Sequence, residues 1–168
     1  MPDPFETLSL PPRFDLDQAD LHARFIQASS ATHPDRYTDP VEQAQAAERA
    51  AEINHAHAVL SDPERRADAL LMLMGGPAKD QDKSLPPALL MDMMDIREQL
   101  EEAVADNNQS ELDKLRDWAH DQHNAHLKTI QGLFADTQNK LPADTAKAIR
   151  IELNALRYIQ RMLEQMPG

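Results

Sequence analysis

Ser29-Ser30-Ala31-Thr32-His33-Pro34-Asp35-Arg36-Tyr37-Thr38-Asp39-Pro40-Val41-Glu42 is the stretch on which the fold of the N-terminal half turns. It opens on the end of one helical pattern and closes on the start of another. Upstream, from about Asp17 to Thr32, Leu21, Phe25 and Ala28 recur at helical spacing. His33-Pro34 ends that run, because a residue before proline is pushed out of the helical region of backbone space. Downstream, Asp39-Pro40-Val41-Glu42 supplies a capping carboxylate, a proline at the first helical position and an acid in the first turn. The helix it opens carries Ala46, Ala50, Ile53, His57 and Leu60 on one face. Two amphipathic helices joined by a short polar turn predict an antiparallel hairpin with His33, Pro34 and Asp35 near its tip.

Outward from the hairpin the punctuation is equally regular. Asp3-Pro4 with Glu6 predicts a short first helix that stops before Pro11-Pro12. Ser61-Asp62-Pro63-Glu64 predicts another helix start, and Gly75-Gly76-Pro77 its end. Residues 76–86, rich in Gly, Pro, Lys, Asp and Ser, read as a linker. Three longer helical patterns follow at roughly 87–105, 109–134 and 143–166, separated by Asp106-Asn107-Asn108 and by Asn139 to Pro142. There is no strand pattern and no internal repeat. The expected fold is all-α: an N-terminal domain over 1–75, a linker over 76–86 and a three-helix bundle over 87–168.

Composition narrows the function classes. Aromatics make up 4% of the chain, so the core is built from Leu, Ile, Met and Ala, which favours helices. Cysteine is absent, which removes disulfides, thiolate metal sites and a cysteine nucleophile, and is compatible with a cytoplasmic location. The formal charge of −12 repels phosphate backbones and argues against nucleic-acid binding. Residues 1–10 carry acids and no base, unlike a signal or transit peptide, and no apolar run reaches the length of a membrane span.

The pattern over Leu89 to Val104 does more than build a core. At about 100° per residue, Leu89, Met93, Ile96, Leu100 and Val104 form one stripe. Leu90, Met91 and Met94 fall on roughly the opposite side, beside Asp95, Glu98 and Glu102. In the last helix Ala146, Ile149, Leu153, Leu156 and Leu163 form the core stripe, with Ile151 and Tyr158 on the far side. An apolar surface on the wrong side of a core helix packs on the N-terminal domain, on a second copy, or on a partner protein. Periodicity leaves all three open.

The order short helix, helix, His33-Pro34-Asp35, helix with Ile53-Asn54-His55-Ala56 and Leu60, then Asp62-Pro63-Glu64-Arg65-Arg66 resembles a J-domain. The tripeptide alone is a weak signal; its setting between these helices is what makes it specific. The second half sharpens the resemblance. Leu89-Leu90-Met91 with Met93-Met94-Asp95-Ile96-Arg97-Glu98 and Leu100-Glu101-Glu102, followed by a final helix with Leu156-Arg157-Tyr158-Ile159, is similar to the C-terminal domain of the HscB family. Arg66-Ala67-Asp68-Ala69-Leu70-Leu71 is similar to that family's junction segment. The resemblance covers nearly the whole chain, least specifically at 76–86 and 106–110.

The resemblance implies a J-type co-chaperone of iron–sulfur cluster assembly, with no catalytic residues, cofactor or metal of its own. It implies an HscA/DnaK-type ATPase chaperone as one partner, met by His33, Pro34, Asp35, Arg36 and Arg24. It implies an IscU-like scaffold protein as the other, met by Leu90, Met91, Met94, Asp95, Glu98, Glu102 and Tyr158. The chain departs from the pattern in places. The helix before the tripeptide carries little more than His22 and Arg24 where J-domains are rich in Lys and Arg, and Thr32 and Arg36 stand where an aromatic and Lys are common. Met94 and Tyr158 stand where Leu and Phe are familiar, and the Tyr158 hydroxyl needs water or a partner.

Other constellations carry less. Asp117, His120, Asp121 and Asn124 share a helical face, and His120, His123 and His126 recur every third residue. A bundle metal site needs a second Glu-x-x-His, which the chain lacks, so a solvated polar face is expected. His57 is expected to be partly buried and Trp118 to pack. The readings kept beside the leading one are a J-protein with another client, a metal-dependent helical enzyme around His120, and a dimerisation module built on Leu90, Met94 and Tyr158.

Overall fold

A computed structural model describes residues 2–33, 36–135 and 141–166. Among the described residues the chain is helical with no strand: α1 (Pro4–Thr7), α2 (Gln18–Ala31), α3 (Pro40–Ser61), α4 (Pro63–Leu73), α5 (Pro87–Ala105), α6 (Gln109–Ala135) and α7 (Ala143–Gln165). The all-α fold expected from the sequence is the one observed. The helices divide between two compact units, Met1–Leu73 and Met74–Gly168.

Aspartate caps set the starts in the first unit. The Asp3 carboxylate accepts from Phe5 N at 2.8 Å, Asp17 from Ala19 N at 2.7 Å, Asp39 from Val41 N at 2.8 Å, and Asp62 from Glu64 N at 2.9 Å. Each satisfies an amide the helix leaves without an internal partner, a contribution of about 1 kcal/mol per cap. α1 packs Phe5 on α3, and α2 lies along α3. The core of this unit gathers Phe5, Leu8, Leu21, Ile53, Leu60, Leu70 and Leu71. His57 is half-buried and stacks on Phe25 with ring centroids 4.1 Å apart, so the expected partly buried histidine fills an aromatic position.

Arg66 explains the spacing after α3. Its guanidinium is buried, donates from Nη1 to the Leu60 carbonyl at 2.7 Å, and sits 5.2 Å from the centroid of the Phe14 ring. It thereby closes the C-terminal end of α3, while Asp62, four residues earlier, opens α4. Burial pushes the Arg66 pKa down, and Asp15 and Asp62 nearby push it back up.

The second unit is a bundle in which α7 turns a broad, largely apolar face to the core and keeps a charged face outward. Its buried residues include Ala146, Ile149, Leu153, Ala155, Leu156, Ile159 and Met162. α5 contributes Leu89, Met93, Ile96, Leu100 and Ala103, and α6 contributes Leu112, Leu115 and Ala119, with Trp118 and Tyr158 packed at the edge. Val104, expected in the core stripe, is instead 43% exposed and Ala103 takes its place. The stripe is centred nearer Ile96 and Leu100, and Val104 lies on its flank one residue from the helix end.

Two turns show why the breaks fall where they do. α5 ends with Asn107 at φ 51°, its N–H donating to Val104 O at 3.2 Å and that of Asn108 to Ala103 O at 2.9 Å. This is a Schellman closure with Asn in the left-handed position. After α4, Gly75 holds φ 77° with open space around its Cα, so conformation and not crowding demands glycine there. The stretch 76–86 is fastened to α7. Arg150, fully buried, donates from Nε to Pro77 O at 2.8 Å. Asn154 Nδ2 donates to Asp82 O at 2.9 Å and to Ser84 O at 3.0 Å.

Candidate partner-binding surfaces

The first surface lies at the α2–α3 turn. Thr32 closes α2 by donating its hydroxyl to Ala28 O at 3.0 Å. His33 follows, exposed, with its carbonyl accepting from Arg36 N at 3.1 Å. Pro34 and Asp35 lie outside the described residues. Arg36 is exposed but its guanidinium donates to Ser30 O at 2.8 Å, so it helps hold the end of α2. Arg24 pairs with Asp20 at 3.4 Å on the exposed face of α2. Both cations of this region therefore have a partner within the chain. Ile26, 49% exposed, is the large apolar side chain that α2 presents to solvent.

The second surface runs along α5. Leu90, Met91 and Met94 are 47%, 74% and 75% exposed, while Leu89 and Met93 beside them are buried. Asp95, Glu98 and Glu102 are exposed on the same helix, giving the apolar side chains an acidic border. Leu90 and Met94 are one turn apart, and Arg97 continues their line. Arg97 reaches across to α7, where its Nη2 lies 3.4 Å from the Tyr158 hydroxyl. Tyr158 is partly buried against the bundle core, so its ring fills space and its hydroxyl has the polar partner that the sequence required.

Sequence reasoning passed over Arg97. The signal was its place seven residues after Leu90 and three after Met94, which puts a cation at the end of an apolar line otherwise bordered by acids. The histidines of α6 separate. His120 is exposed, whereas His126 is drawn inward, its Nδ1 2.5 Å from Glu152 Oε2 on α7 with both side chains mostly covered. His126 is therefore an inter-helix contact and not part of a solvated face. Among the described residues no three His, Asp or Glu side chains come together as a metal-binding group. Among the described residues no helix is long and apolar enough to cross a membrane.

Comparison with known proteins divides the chain where the two surfaces divide it. A DnaJ domain model matches residues 3–68, and a model described as the HSCB C-terminal oligomerisation domain matches residues 85–166. The chain is 32% identical over 165 residues to the co-chaperone protein HscB homolog of Burkholderia thailandensis, covering 96% of this chain and 94% of that one. It is 31% identical over 164 residues to the homolog from Pasteurella multocida, covering 95% and 91%. Among solved structures, chaperone HscB from Vibrio cholerae superposes with a TM-score of 0.77 at 27% identity over 98% of this chain and 94% of that one. Human co-chaperone protein HscB superposes with a TM-score of 0.81 at 21% identity over 98% and 80%, a likeness of fold.

Proposed function

The chain belongs to the HscB co-chaperone family, and from that premise we propose that it stimulates ATP hydrolysis by an HscA/DnaK-type chaperone and delivers an IscU-like iron–sulfur scaffold to it. In this reading the chain is an adaptor and not an enzyme, and it works in the cytoplasm. The groups that hydrolyse ATP belong to the chaperone. His33, with Pro34 and Asp35, docks on the ATP-bound partner, and Arg36 and Arg24 lie beside the contact. Docking speeds hydrolysis only if it favours the hydrolysis-competent state of the partner over its resting state, which is a coupling free energy between two proteins.

The client is held by the second unit. Leu90, Met91 and Met94 supply the apolar contact, Asp95, Glu98 and Glu102 an acidic border for a basic partner, and Tyr158 a half-buried ring at the edge. The observation that carries the reading is the exposure of these three large apolar side chains on a helix whose core stripe is already complete. Methionine suits such a surface because its unbranched thioether adapts to the partner's contour. Carrying both surfaces on one chain turns the meeting of client and chaperone into an intramolecular event, so modest affinities on each side suffice.

The test is steady-state ATP hydrolysis by the host's HscA-like chaperone, with this protein and the scaffold added separately and together. Stimulation that rises synergistically with scaffold and disappears in His33→Gln is the expected result. Stimulation without synergy points to a J-protein with a different client. No stimulation from folded protein and active chaperone overturns the reading.

A further inference from the structure

Five of the 17 basic residues, Lys79, Lys83, Arg97, Arg157 and Arg161, gather around Tyr158 in the second unit. They line two adjoining depressions of about 200 and 260 Å³ that share Tyr158 and Arg161 and so form one groove. Its floor is apolar, with Met93 and Leu100 at one end and Leu85 at the other. Among the described residues, none of the five forms an ion pair within the chain. That is unexpected where 29 acids outnumber 17 bases. Arg157 and Arg161 stand one helical turn apart, a like-charge spacing that works against the helix unless an anion lies between them.

The turn between the two lysines is held in place. The turn that bears them is closed by Gln81, whose side chain accepts from Ala78 N at 2.9 Å, and by the Asn154 bonds to Asp82 O and Ser84 O. The backbone positions of four cations on two rims are thus set by a fastened loop and a helix before any ligand arrives.

We propose that this groove docks an acidic peptide segment of a partner protein, with its carboxylates between the Arg157/Arg161 forks and the Lys79/Lys83 rim and an aliphatic side chain on the Leu85–Tyr158 floor. Guanidinium forks match carboxylates in pairs, and the apolar floor favours a peptide over a bare anion. The net charge of −12 selects against a polyphosphate chain, whose charge extends beyond the groove, whereas a short segment senses the field within about one Debye length, ~8 Å. Arg97 joins the groove to the Leu90–Met94 line, so one partner can occupy both. The inference rests on the proposed function only for which protein carries the segment.

The experiment uses the full chain and a fluorescein-labelled octapeptide of glutamate and leucine, followed by fluorescence anisotropy and by amide chemical shifts. Binding that weakens at least tenfold in Lys83→Glu/Arg157→Glu, persists in Leu90→Ser/Met94→Ser, and shifts amides within 78–85 and 154–161 is the expected result. Should the reversal variant lose its helical circular dichroism, Lys83→Gln/Arg157→Gln takes its place. Equal binding of the glutamine-for-glutamate octapeptide, equal binding to the charge variant, or shift changes elsewhere overturns the proposal. So does an oligonucleotide or inorganic phosphate that shifts the same amides at the same concentration. Failure of the scaffold to bind, with the octapeptide still bound, counts against the client assignment and leaves the groove intact.

Discussion

Replacing Leu90 and Met94 together by serine removes the exposed line of apolar side chains to which the proposed function assigns the client. The magnitude follows from what they expose. Full burial of a Leu or Met side chain is worth about 1.5–3 kcal/mol, and here 47% and 75% of each remain to be buried by a partner. Covering both is worth roughly 1.8–3.7 kcal/mol, which corresponds to about a 20- to 400-fold loss of affinity in the double variant. Met91→Ser, with 74% exposure to lose, weakens binding about 6- to 40-fold. Neither change touches the bundle core, so the melting temperature stays within the range of ordinary surface substitutions. Isothermal titration calorimetry with the IscU-like scaffold reads the affinity, and thermal unfolding by circular dichroism reads the control. A loss smaller than about threefold in the double variant with the fold intact refutes the reasoning, since the exposed area would then not be the area the client covers.

Three further outcomes follow from the same geometry. Arg66→Ala opens the C-terminal end of α3 and removes the cation from the Phe14 ring, and costs roughly 2–5 kcal/mol in urea unfolding followed by far-ultraviolet circular dichroism. Because Arg24 and Arg36 already have partners within the chain, half-maximal stimulation of the chaperone moves less than about threefold between low and physiological salt; a steep salt dependence shows that other charges do the steering. Asp82 is held below the usual carboxylate range by hydrogen bonds from the Ser84 hydroxyl and N–H, helped by Lys147 and Arg150. Its contribution is therefore present above the ordinary carboxylate pKa and lost as pH falls through the depressed native value, so the gap in melting temperature between wild type and Asp82→Asn closes on acidification below about pH 4.

The helices were legible because their boundaries are written in local chemistry. Asp3, Asp39 and Asp62 cap wherever they fall before a proline, and Asn107 breaks α5 through its own tolerance of positive φ. What escaped the sequence depends on contacts between distant residues. Arg66 reads as one of two adjacent arginines, and only the fold reveals that it turns inward to the Leu60 carbonyl while Arg65 stays exposed. His126 belongs to a periodic run of histidines until Glu152, 26 residues later, draws it between two helices. Arg97 matched the family segment without being assigned a role, because its partner Tyr158 lies 61 residues away. The stretch 76–86 has a linker's composition, yet Arg150 and Asn154 bind its carbonyls. Composition reports what a segment prefers alone and not what packs on it.

Trp118 lies against the core of the second unit and is the one tryptophan in the sequence. The protein thus carries a site-specific optical label without modification. Its emission reports solvent entry into the bundle and is silent about the hairpin that bears His33. Far-ultraviolet ellipticity, by contrast, weighs the helices of both units together. A melt recorded in the two signals at once separates the loss of the second unit from the loss of the first, and a destabilising variant such as Arg66→Ala can be assigned to one or the other by which curve it moves.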